Sequence, residues 1–114
     1  MTAHDKLWID VCAVVDIPVR GARVVRGALG DVAVFRAADD SVFALDDRCP
    51  HKGGPLSQGI VHDHAVTCPL HNWVIDLGTG QVRGPDTGCT KSIALKLVEG
   101  RVYIAAAALM PQPG

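Results

Sequence analysis

The sequence predicts an antiparallel all-β protein carrying a loop-rich insertion, and three observations predict it. Nearly every acidic residue is Asp, with Glu99 the one Glu among twelve Asp+Glu, and Asp favours turns over helix interiors. Gly 12 and Pro 7 in 114 residues break the chain often. The apolar segments are short, rich in β-branched residues and separated by turn signals, with no helical period longer than two turns.

Taken in order, residues 6–15 (KLWIDVCAVV) read as a first strand, interrupted by Asp16-Ile17-Pro18. Ala22–Arg26 and Asp31–Ala37 flank Gly27-Ala28-Leu29-Gly30 and predict a hairpin. Asp39-Asp40 makes the next turn and Ser41–Leu45 the next strand. From Asp46 to about Gly88 the texture changes, with Gly, Pro, His and Cys crowded together. Inside that stretch, 59–61 and 65–67 flank a turn at His62-Asp63-His64, and Trp73–Leu77 and Gln81–Arg83 flank another at Gly78-Thr79-Gly80. Plain strand returns at Ser92–Val98 and, after a turn at Glu99-Gly100, at Arg101–Ala106; Pro111 and Pro113 make 107–114 a tail. The expected organisation is one domain over 1–114. A small barrel or sandwich base (about 6–45 and 88–106) carries a functional lobe (about 46–87).

Composition narrows the function. Eleven Lys+Arg against twelve Asp+Glu leave a formal charge of −1, so there is no basic excess to bind phosphate and nucleic acid is not an expected partner. The longest apolar run, Val102 to Met110, is nine residues, too short to span a bilayer, so no membrane partner is expected. The first twelve residues lack the basic start and apolar stretch of a signal peptide. The reading is a cytoplasmic protein, in which four cysteines point to metal ligands or thiols more than to disulfides.

The chemistry concentrates in two stretches, Cys49-Pro50-His51-Lys52-Gly53-Gly54 and Cys68-Pro69-Leu70-His71-Asn72-Trp73. They read C-x-H, sixteen residues, then C-x-x-H. Two thiolates and two imidazoles suit tetrahedral zinc, or a [2Fe–2S] cluster in which one iron takes the cysteines and the other the histidines. A zinc finger keeps its Cys pair together and its His pair together. Here each loop mixes the types, as a two-iron centre requires, because each loop must reach both metals. Gly53-Gly54 lets backbone N–H groups approach bridging sulfides without a Cβ clash, and Pro50 and Pro69 stiffen the loops. The spacing favours the cluster, with zinc and unrelated thiols as the alternatives.

On these residues the chain resembles Rieske-type iron–sulfur proteins over about 6–106. More closely, CPHKGGPLSQGIVHDHAVTCPLHNWVIDLGTGQV and GCTKSIALKLVEGRVYI are similar to the small subunit of assimilatory NAD(P)H nitrite reductase. The run from Cys68 to Leu77 is the most telling part, because Rieske ferredoxins more often carry a small residue after the second His. The resemblance implies Cys49 and Cys68 on an inner iron and His51 and His71 on an outer one. It also implies an electron-transfer role beside a large subunit that carries FAD, a [4Fe–4S] cluster and sirohaem and reduces nitrite to ammonium. This chain has no glycine-rich dinucleotide fingerprint, so the NAD(P)H chemistry falls to that partner and no catalytic residue is expected here. The alternative is a free-standing Rieske ferredoxin serving a ring-hydroxylating oxygenase and its reductase. High-potential Rieske proteins place a disulfide where this chain has Gly54 and Leu70, and a Ser hydroxyl where it has Trp73. Fewer hydrogen bonds to sulfur put the expected potential near or below the low end of the family's range of about −150 to +300 mV.

Other reactive residues carry plainer expectations. Cys12 reads as a buried small hydrophobe, Cys89 as packing near the barrel, and His62 and His64 as a solvated turn around Asp63. Trp73 is expected to shield the loop from water, and Lys52 to be solvated or on a docking face.

Overall fold

The computed structural model describes residues 7–27, 30–49, 54–69, 73–83 and 88–106. Among the described residues, nine antiparallel strands build three three-stranded sheets. The first holds β1 (Trp8–Ala13), β9 (Arg101–Ala105) and β8 (Leu95–Val98) in the order β1-β9-β8. The second, ordered β2-β3-β4, holds β2 (Gly21–Val25), β3 (Val32–Arg36) and β4 (Val42–Asp46). The third, ordered β5-β6-β7, holds β5 (Ile60–His62), β6 (Ala65–Thr67) and β7 (Val74–Asp76). Strands and turns dominate as the sequence predicts. Among the described residues the additions are the 3₁₀ turns Val14–Asp16 and Leu56–Gln58.

The second sheet is the middle layer. Val32 and Val34 of β3 and Ala44 of β4 join a core with Cys12, Ile17, Ile93, Val102 and Ile104. Ala33 and Phe35 of β3 and Leu45 of β4 face the opposite core, with Cys49, Leu56, Val61, Val66, Cys68, Ile75 and Leu77. Successive residues of a strand point to opposite faces. Because both faces of β3 are covered, Val32–Phe35 are all buried and the strand reads VAVF without a polar alternate.

Arg36 fixes the chain as it leaves β1. Its guanidinium, half-buried, donates to the carbonyl of Ile17 at 2.9 Å and pairs with Asp40 at 2.8 Å. On the outer sheet Arg101 grips Asp10 through Nε and Nη2, and Lys96 Nζ lies 4.9 Å from the Trp8 ring and 5.7 Å from that of Tyr103.

The expected strand at 81–83 and the first part of the one expected at Ser92–Val98 are reduced to isolated bridges. Thr90 N–H donates to Gly80 O, Lys91 O accepts from Asp46 N–H, and Ile93 N–H donates to Ala44 O. The segment 90–93 thus lies along Gly80 and β4, and regular pairing with β9 begins at Leu95. Residues 107–114, read as a tail, lie outside the described residues. Among the described residues no helix is long and apolar enough to cross a membrane.

Candidate metal centre

Cys49 follows β4. Asp47 N–H donates to Asp31 O at 3.0 Å, which keeps the chain beside β3 as it turns inward. The Cys49 side chain is buried, at 2% exposure. Its N–H donates to Gly54 O at 2.7 Å, so the loop carrying His51 closes on the residue that begins it. Cys68 follows β6 and is fully buried. Its N–H donates to Trp73 O, also at 2.7 Å, one step beyond the Thr67–Val74 pair of the β6–β7 hairpin. The two closures match: each cysteine N–H reaches the carbonyl five residues on, and each enclosed segment holds one candidate histidine.

The two loops share one core. Both cysteines belong to the cluster of Leu45, Leu56, Val66 and Ile75, with Trp73 packed against it, half-buried. Two thiols brought from separate loops into one apolar core form a soft donor pair, and water is kept from it. His51 and His71, together with Lys52 and Leu70, lie outside the described residues. The donor chemistry still fits a mixed Cys/His cluster, since each buried cysteine opens a short closed loop whose sequence supplies one imidazole.

Two contacts at the base of the first loop are not legible in the sequence. Asp47 accepts from Ser57 N–H at 2.7 Å and from Ser57 Oγ at 2.8 Å. Gly59, which ends the Leu56–Gln58 turn, lies so close to β6 that a Cβ there would stand 2.3 Å from Thr67 O. An acidic residue before Cys49 and a serine after Gly54 were visible, but no local pattern says that they meet.

The remaining cysteines and histidines divide. Cys12 is buried in the other core as expected, and burial raises its thiol pKa, which suits an inert side chain. Cys89 corrects its expectation: it is exposed. Its backbone bridges Gln81 while its side chain points away from the core. His62 and His64 do flank a turn, with Asp63 at φ 51°, yet neither is merely solvated. His62 Nε2 meets Thr67 Oγ1 at 2.7 Å, and His64 Nε2 meets the Asp39 carboxylate at 2.9 Å with its ring 5.1 Å from Phe43. His64 and Asp39 line an open cleft of about 410 Å³ with Arg20, Asp63 and Arg83. Asp39 is held at a pKa of about 2, first by the Ser41 backbone N–H and then by His64. Arg83, 2.9 Å away, holds Asp76 below the usual carboxylate range.

Residues 7–94 match the family profile of the Rieske [2Fe–2S] domain. The chain belongs to the Rieske family. It is therefore a Rieske electron-transfer protein, and its domain binds a [2Fe–2S] cluster. It is 38% identical over 96 residues to the 3-phenylpropionate/cinnamic acid dioxygenase ferredoxin subunit of Photorhabdus laumondii, covering 82% of this chain and 90% of that one. It is 31% identical over 103 residues to ferredoxin CarAc of Metapseudomonas resinovorans, covering 89% and 95%. Among solved structures, a putative NADH-dependent nitrite reductase small subunit from Mycobacterium tuberculosis superposes with a TM-score of 0.79. The identity is 26%, covering 89% of this chain and 96% of that one. A complex of oxygenase and ferredoxin in carbazole 1,9a-dioxygenase matches with a TM-score of 0.77 at 29% identity, covering 89% and 94%.

Proposed function

We propose that this Rieske protein is the electron-transfer small subunit of a cytoplasmic, assimilatory NAD(P)H-dependent nitrite reductase. In this reading Cys49 and Cys68 hold the inner iron, His51 and His71 hold the outer one, and the segment 46–87 is the cluster lobe on a base formed by 6–45 and 88–106. The observation that carries it is Trp73. Its carbonyl closes the second loop on Cys68 while its half-buried side chain packs on the core both cysteines share. The end-to-end likeness to the putative M. tuberculosis nitrite reductase small subunit supports the same reading.

When bound, the cluster supplies a site that accepts and returns one electron. The chain's own residues do the rest. Cys49 and Cys68 provide the thiolates, and the two closed loops orient them. Leu56, Trp73 and their neighbours keep water from the sulfurs, which favours the less charged oxidised form and lowers the potential. FAD, [4Fe–4S] and sirohaem belong to the large partner subunit, where nitrite becomes ammonium.

A second reading is favoured by a different observation. Relatives that span most of this chain by sequence include the P. laumondii dioxygenase ferredoxin subunit and ferredoxin CarAc, which supports a diffusible carrier serving an oxygenase. Affinity purification from cells grown on nitrite as nitrogen source separates the two. Co-purification of a sirohaem subunit with nitrite-dependent NAD(P)H oxidation is the expected result. Recovery of the chain alone, with electron delivery to an oxygenase, overturns the first reading for the second. A colourless protein with one zinc and no iron overturns both.

A further inference from the structure

Between Cys49 and Cys68 the chain makes the Leu56–Gln58 turn, which packs on β2 and β3 and is tied to the chain beside each candidate cysteine ligand. On its first side, Asp47, two residues before Cys49, accepts two hydrogen bonds from Ser57, at 2.7 and 2.8 Å. In its middle, Leu56 is fully buried in the core that holds both cysteine side chains. On its far side, Gly59 N–H closes the turn on Leu56 O at 2.9 Å. The absence of a Cβ there lets the turn rest against Thr67 O and Val66, directly before Cys68. Ile60 then pairs with Thr67 in the β5–β6 ladder.

We propose that this turn is a spacer that sets the separation of the two cysteine loops, and that Asp47 and Ser57 are positioning residues for the cluster. The inference rests on the assignment of Cys49 and Cys68 as ligands of one iron. That iron accepts only a narrow sulfur–sulfur distance, and nothing within either loop fixes it: each loop closes on itself through its own N–H to carbonyl bond. The distance between the loops is set by what joins them, the core they share and the spacer packed into it. The Asp47 clasp joins the spacer to the first loop, and the Gly59 contact joins it to the second. Ser57 has both of its donors on one carboxylate, so the join resists twisting as well as stretching.

The test uses the intact chain loaded with its cluster, and three variants. Ser57→Ala removes one donor and no charge. Asp47→Ala removes the whole clasp. Asp47→Asn keeps an acceptor for Ser57 N–H and offers an amide donor to Ser57 Oγ, while removing the charge. The readouts are the rate at which an iron chelator bleaches the visible spectrum, the EPR line shape of the reduced protein, and thermal melting. A hydrogen bond to a carboxylate lost in Ser57→Ala should speed bleaching at least about tenfold. The EPR lines should broaden, Asp47→Ala should show a larger effect, and Asp47→Asn should return towards the wild type. Equal behaviour of Asp47→Asn and Asp47→Ala, with Ser57→Ala silent, would mean that charge alone acts and would overturn the spacer. So would melting temperatures that fall while bleaching and line shape stay unchanged. Wild-type protein that loads without two irons per chain fails earlier and overturns the ligand assignment itself.

Discussion

Gly59 offers the sharpest test of how the site is packed. Its backbone is ordinary extended chain, φ −78° and ψ 179°, so any cost of adding a methyl group is steric and not conformational. The added Cβ would stand 2.3 Å from Thr67 O and 2.9 Å from Val66 Cγ2. A carbon–oxygen contact needs about 3.3 Å, so one side must retreat by about 1 Å. Thr67 cannot retreat alone, because β6 is the middle strand of its sheet and pairs with both β5 and β7. Overpacking of a fixed site costs about 1–3 kcal/mol; with backbone as the obstacle, Gly59→Ala belongs near 3 kcal/mol. That is a large share of the roughly 6–17 kcal/mol expected for a chain of this length. Gly78→Ala is the control, since its Cβ would meet only Asp76 Oδ1 at 3.3 Å and Phe43 at 3.9 Å. Urea unfolding of both variants checks the reasoning. A Gly59→Ala loss no greater than that of Gly78→Ala would refute it.

Three further outcomes are expected. Cys49→Ser and Cys68→Ser should each lose the cluster, while Cys12→Ala, which alters the other core, should keep two irons per chain by iron assay and EPR. Arg36→Ala removes donors to the carbonyls of Ile17 and Val14 and the pairing with Asp40, and should lower unfolding stability by about 2 kcal/mol in urea. Asp39 has its folded pKa depressed from 3.8 to about 2. Its contribution is therefore complete above pH 4 and is lost as pH falls from about 4 towards 2. Asp76, also depressed, loses its contribution in the same direction. Acid titration of Asp39→Asn should show a shallower fall in stability over that window than the wild type.

The sequence revealed the strands wherever a β-branched run stays within one sheet along its length. Trp8–Ala13, Val32–Arg36 and Arg101–Ala105 all sit inside their expected segments. It failed where a segment changes partner. Residues 90–93 pair with Gly80 and β4 before the chain joins β9, and a local pattern cannot say when pairing moves from one sheet to another. The candidate ligands were legible because their chemistry is rare and closely spaced, and the structure buries Cys49 and Cys68 in one core. The Asp47–Ser57 clasp and the His64–Asp39 contact were not, because Asp, Ser and His in turns are common and their partners lie 10 and 25 residues away. Cys89 shows the opposite error: a cysteine beside a strand suggested packing, but the structure holds it in an isolated bridge to Gln81 with its side chain exposed.

The doubly covered strand β3 decides how portable the proposed cluster lobe is. Leu56, Val61, Val66, Ile75 and Leu77 have no private interior; they close onto Ala33, Phe35 and Leu45 from the middle sheet. A chimera that transplants 46–87 onto another Rieske base would therefore inherit half a core and must import the matching face of β3 and β4 with it. The natural exchange unit is the segment plus the alternate residues 33, 35, 43 and 45. Recombination that respects only the loop boundaries would separate side chains that fill one another's space.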